Sequence, residues 1–171
     1  MQKGMGFTLI ELIVVVVIIS ILGVLSIGLF SSPSQYSASL SSKQWLTQLR
    51  SAQLQALQKQ DANNLVQFLA QANGNEWRLQ ILFRGNSITQ VQVSAKDQRL
   101  AFSDSDFSSA CSALPSANLP LRFFYDGLGR FVASDGSAIN SNQRLCFEGG
   151  NSVIDLCLAP SGLAYEGACV N

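Results

Sequence analysis

The sequence predicts an α+β fold, with a long N-terminal helix, transmembrane in one half and amphipathic in the other, packed on a small antiparallel β-sheet head. Three observations lead there. No charged side chain occurs between Glu11 and Lys43, apolar residues recur at helical spacing from about Ser39, and beyond Asp61 the chain breaks into short apolar runs between turn residues. The 171 residues suffice for one modest domain and an appendage.

Composition removes whole classes of chemistry. The chain has no histidine, which excludes Ser-His-Asp and Cys-His catalysis, H-E-x-x-H metal sites and histidine switching. Its 11 basic and 11 acidic residues cancel, whereas a strong nucleic-acid binder needs excess Lys and Arg. No enzyme activity, metal or cofactor is expected.

The run Leu12–Phe30 reads L-I-V-V-V-V-I-I-S-I-L-G-V-L-S-I-G-L-F. As a helix it would span about 28 Å, close to the hydrocarbon thickness of a bilayer. Lys3, the only charge upstream of Glu11, keeps the N-terminus in the cytoplasm and sends the rest outward. The competing reading is a cleaved secretory signal with Ser26-Ile27-Gly28 as its site. The apolar run is longer than such signals use, and it is entered through a carboxylate that costs on the order of 1 kcal/mol at a membrane edge.

Around that carboxylate, Met1–Glu11 reads M-Q-K-G-M-G-F-T-L-I-E. G-F-T-L-I-E running into an apolar helix resembles the class III signal of type IV pilins and type II secretion pseudopilins. The resemblance implies a leader at 1–6, a transmembrane and filament-core helix at 7–30, its amphipathic continuation at 31–60 and a periplasmic β-rich head at 61–171. It also implies that a prepilin peptidase and methyltransferase cuts between Gly6 and Phe7 and methylates Phe7. Glu11 then meets the N-terminal amine of a neighbouring subunit and sets filament register. An intrachain pair with the Phe7 amine is the alternative, since either charge is costly alone in an apolar setting. The partners implied are other pilin subunits, the peptidase and an inner-membrane assembly platform. The location implied is the bacterial inner membrane, single-pass, with entry into an extracellular pilus.

Ser31-Ser32-Pro33-Ser34 predicts a kink or break, because proline lacks a helical donor. From Ser39 to Gln60 the apolar positions Leu40, Trp45, Leu46, Leu49, Ala52, Ala56 and Leu57 form one broad face. Ser39–Leu57, with its A-Q-x-x-A step at Ala52, Gln53 and Ala56, resembles the helix that opens the GspH/FimT-type pseudopilin domain.

Strands are expected at 77–83, 87–93, 121–125, 129–132, 143–147, 153–158 and 163–165, each bounded by turn formers. Asp126-Gly127 and Ser161-Gly162 supply the positive-φ positions of tight turns, in stretches that look like hairpins of the same domain type. Residues 104–120, rich in Ser, Ala and Pro, read as a loop.

Cys111, Cys146, Cys157 and Cys169 all fall on the outer side, and an even count there predicts two disulfides with three possible connectivities. A register pairing Leu145 with Leu158 and Phe147 with Leu156 sets Cys146 opposite Cys157, so Cys146–Cys157 is the expected bridge, which leaves Cys111 for Cys169. A two-residue Gly150-Asn151 turn would instead put Cys157 opposite Arg144. The spacing lacks a C-x-x-C knuckle for zinc.

Other candidate sites have simpler readings. Asp104 and Asp106 lack the glycine and glutamate of a calcium loop, Asp126 and Asp135 precede glycine as turn residues do, and Ser161 has no base to activate it. No Lys or Arg follows Arg144, so DNA binding is not expected. The resemblance points to a minor pilin, such as one of the mannose-sensitive haemagglutinin pilus. The alternatives are a GspH-type pseudopilin of type II secretion, a DNA-binding competence pilin and a membrane-anchored enzyme.

Overall fold

The computed structural model describes residues 8–27, 33–61 and 64–170, with side chains described for 8–21, 36–61 and 64–170. The chain forms two compact units, Met1–Pro33 and Ser34–Asn171.

The first unit holds helix α1, Leu9–Ile27, and the second takes in α2, Pro33–Lys59, from its second residue onward. The expected single long helix, transmembrane then amphipathic, is therefore corrected to two. Pro33 is the first residue of α2, where a missing N–H breaks no helical bond and the fixed φ suits the entry. Of the run Leu12–Phe30, the described helix contains Leu12–Ile27, about 24 Å at 1.5 Å per residue, against about 30 Å of bilayer hydrocarbon. Among the described residues no helix is long and apolar enough to cross a membrane, so the single-pass inner-membrane placement is corrected as well.

The second unit is richer in β structure than expected, with two sheets in place of one small sheet. Strands β1 (Val66–Asn73), β2 (Glu76–Phe83), β3 (Asn86–Ser94), β4 (Gln98–Ser103), β5 (Leu121–Tyr125), β6 (Phe131–Val132), β7 (Gln143–Gly149), β8 (Ser152–Leu158) and β9 (Ala164–Glu166) follow α2. They form a five-stranded sheet in the order β3-β2-β1-β5-β6 and a four-stranded sheet in the order β4-β7-β8-β9, antiparallel throughout. Seven strands match expected runs, while β1 and β4 were unforeseen. β1 reads V-Q-F-L-A-Q-A-N, and its small and amide side chains carry weak strand preference. Its place between β2 and β5 nevertheless buries Val66, Phe68, Leu69 and Ala70.

The described part of α2 lays Ala38, Ser41, Ser42, Trp45, Leu49, Ala52 and Ala56 into the interior. Apart from the adjacent Ser41 and Ser42 these positions step by three or four, and they make a narrower seam than the expected face, from which Leu40 and Leu57 are turned out. Small residues on either side of Trp45 let the helix approach closely. The Trp45 ring lies 5.6 Å from Phe68, 5.8 Å from Trp77 and 5.5 Å from Phe147, so one side chain joins both sheets. Phe68 stacks on Phe123 at 5.9 Å, and Phe123 meets Phe131 edge-on at 5.6 Å.

The disulfides are Cys111–Cys146 and Cys157–Cys169, with Cα separations of 5.9 and 5.1 Å. The expected pairs, Cys146 with Cys157 and Cys111 with Cys169, are corrected. The reason is turn length: Gly149 pairs with Ser152 around Gly150-Asn151, and Gly150 adopts φ 58°. That two-residue turn sets Cys157 opposite Arg144 and Cys146 opposite Asp155, which sends each sulfur to a partner outside the hairpin.

Candidate functional site

Gly6 and Phe7, the expected cleavage and methylation positions, lie outside the described residues. Two residues on, the chain enters α1 through a reciprocal cap. Thr8 N–H donates to Glu11 Oε2 at 2.9 Å and Thr8 Oγ1 donates to the same oxygen at 3.1 Å, while Glu11 N–H returns a bond to Thr8 Oγ1 at 3.4 Å. This is a capping box, and its signature T-x-x-E was present in the sequence as T-L-I-E. The bond from the Thr8 backbone, then that from its hydroxyl, hold the Glu11 carboxyl below the ordinary carboxylate range. A negative charge in the first turn also faces the positive end of the helix dipole.

Behind this cap the helix is apolar on every side. From Leu9 to Ile21 each large apolar side chain is 48 to 76% exposed, and the polar exceptions in that span are Glu11 and Ser20. Ser20 donates inward to the Val16 carbonyl at 2.7 Å, which removes its hydroxyl from the surface. An exposed helix without a polar face is a surface that needs covering.

No family model, no curated protein and no solved structure matches this chain.

Elsewhere the polar clusters hold loops in place. Residues 104–120, expected as a loop, contain a 3-10 turn at Cys111–Ala113 and are gripped by two arginines that the sequence did not single out for this. Arg99 donates to Glu148 Oε2 at 2.6 Å, to the Cys111 carbonyl at 3.0 Å and to the Leu114 carbonyl. Arg144, itself buried, donates to Asp155 Oδ1 at 2.9 Å and to the Ser109 carbonyl at 2.8 Å. Cys111, Cys146 and Asp155 present ligand-type atoms within 4.8 Å of one another, but the two sulfurs are bonded together and Arg144 holds the carboxylate. A disulfide offers no thiolate, so this cluster is a fastening and not a metal centre.

The carboxylates considered for calcium or catalysis act in turns. Asp106 accepts from Ser108 and Ser109 N–H, and the Ser109 side chain first, then these backbone bonds, hold its carboxyl below the usual range. Asp135 accepts from Ser137 N–H, and the Ser137 side chain first, then this backbone bond, lower it likewise. Asp126 accepts from Leu128 and Arg130 N–H and from the Arg130 guanidinium. The positive φ of its turn falls at Gly129, not at Gly127, while Gly162 has the positive φ expected of it. Gln53 of α2 ties the two turns together, donating to the Gly129 carbonyl at 3.1 Å and the Ser161 carbonyl at 3.3 Å.

Proposed function

We propose that this chain is a structural, non-enzymatic subunit of a type IV pilin-like filament, made as a precursor that a prepilin peptidase cuts after Gly6 and methylates on Phe7. The observation that carries this reading is α1, which turns large apolar side chains to every side from Leu9 to Ile21 with one carboxylate at its head. Packing against the same helix of neighbouring subunits covers that surface, and each large side chain fully buried contributes roughly 1.5–3 kcal/mol. Such adhesion is strong but unspecific along the helix axis. Glu11 supplies what it lacks. Among the described residues Thr8 occupies Oε2, which leaves Oε1 to accept the amine of a neighbour's Phe7, a pair whose members are costly apart in apolar surroundings. The string G-F-T-L-I-E supports the same reading, and two disulfides suit a subunit that works in an oxidising compartment.

Mass spectrometry of the mature protein tests the processing: loss of residues 1–6 and gain of one methyl are expected, and an intact N-terminus would end the proposal. Glu11→Gln tests register, because the amide still accepts from Thr8 but carries no charge. The expected result is a folded subunit that fails to enter filaments; incorporation at the normal level would refute the role given to Glu11.

A further inference from the structure

Among the described residues each sheet has two edges, and three of the four are short or covered. β4 is flanked by residues 115–117, through Phe102 N–H to the Pro115 carbonyl at 3.4 Å and Ala117 N–H to the Leu100 carbonyl at 2.8 Å. β6 has two residues and β9 three. β3 differs: it runs nine residues, N-S-I-T-Q-V-Q-V-S, with β2 as its neighbour in the sheet. It contains neither a charge nor a proline, two devices by which proteins commonly block an exposed edge.

The register shows which backbone groups point outward. Ala95 N–H donates to the Asn75 carbonyl at 2.8 Å, and Val93 opposite Trp77 and Val91 opposite Leu79 continue that register. Antiparallel alternation then turns the N–H and C=O of Val91 and Val93 towards β2, and those of Gln90, Gln92 and Ser94 away from it. The Ser94 carbonyl is engaged by the Ser41 hydroxyl at 3.0 Å and the Gln98 amide at 2.9 Å. The shift at Ile81/Leu82 disturbs the ladder around Ile88. Gln90 and Gln92 are left, each aiming one donor and one acceptor at the open edge.

We propose that β3 pairs antiparallel with β3 of a second copy of this chain, about a two-fold axis at Val91. Gln90 of each copy then faces Gln92 of the other, and all the groups just named join in N–H···O=C bonds across the interface. Val91 meets its counterpart at a non-hydrogen-bonded position, where side chains stand closest. It does so beside a groove of about 190 Å³ between α2 and β3, lined by Lys43, Gln44, Thr47, Gln48 and Val91. The Gln48 Oε1 atom is buried without a hydrogen-bond partner. On the other face Gln80 donates to Gln90 Oε1 at 2.9 Å, so the paired strands extend a row of amides. Neutrality is the argument for a second copy over an unrelated strand. A strand meeting itself about a two-fold brings each charge near the axis close to its own like; β3 has none to repel, and Lys43 of α2, the charge lining the adjoining groove, is exposed to solvent, which screens it.

The test uses the full chain with Val91→Cys under mild oxidation, beside Ser134→Cys on an exposed turn. A disulfide between two position-91 thiols is expected, identified by peptide mass, with no comparable product at position 134. Adding Gln90→Pro, which an edge strand accommodates when the N–H points outward, should slow the cross-link roughly tenfold while the thermal transition stays in place. If that variant unfolds, Gln90→Lys with Gln92→Lys must slow it instead. Association through α1 would favour neither position and would ignore both changes. Cross-linking at 91 no faster than at 134, or indifferent to the substitutions at 90 and 92, overturns the proposal.

Discussion

Arg144 is 5% exposed, and its guanidinium spans Asp155 and the Ser109 carbonyl. Arg144→Ala would strand the Asp155 carboxylate beside the disulfide, and a loss of roughly 3 kcal/mol in urea unfolding is expected. Gly162 sits at φ 87° with the Gly129 carbonyl where a Cβ would go. Gly162→Ala should cost roughly 3 kcal/mol, and a variant as stable as wild type would contradict the packing of those two turns. Asp126 gives a pH dependence. Partial burial pushes its carboxyl up, but the bonds from Arg130 and Leu128 together hold it below the usual aspartate range. A depressed folded value means the stabilisation is complete above the ordinary range, near about 4, and fades as pH falls through the folded value. Asp126→Asn should therefore lose about 1 kcal/mol at neutral pH and show a shallower decline in acid, read from melting temperatures across pH. At this scale Glu11 was legible, because a lone carboxylate before an apolar run stands out in one dimension. Its partner Thr8 could be found in T-L-I-E. The cysteine partners could not, since a change of turn length by two residues re-pairs both bridges.

Among the elements, α2 and the strands differ in how much the sequence revealed. The helical period announced α2, yet the outer positions of its stripe, Leu40 and Leu57, proved exposed, because period alone gives a direction and not the width of the contact. β2, β5, β7 and β8 advertise themselves with large or β-branched residues. β1 does not, since its burial comes from neighbours on both sides and not from its own composition. Trp45 bridges the elements, so Trp45→Ala should cost roughly 3–5 kcal/mol and weaken both sheets in one transition. Two separated transitions by tryptophan fluorescence and circular dichroism would show that the sheets do not share this core.

The whole molecule consists of a capped, apolar-sided helix and a self-contained α2 and two-sheet unit. Both core clusters fall within residues 38–158 or pack Ala164 against them, so residues 34–171 alone should melt within a few degrees of the full chain. A large drop would place part of the stability in the first unit. The break signal Ser31-Ser32-Pro33-Ser34 marked this division in the sequence, but the split of the β region into two sheets rests on non-local pairing that no local pattern encodes. That topology gives the Cys111–Cys146 bond an additional consequence. It anchors the segment whose residues 115–117 lie along β4, so it guards a strand edge. Reductant should unlatch that segment and expose β4 to strangers, turning a loss of one covalent bond into redox-triggered aggregation. Light scattering should accordingly rise on reduction, and it should rise in Cys111→Ser with Cys146→Ser before any reductant is added.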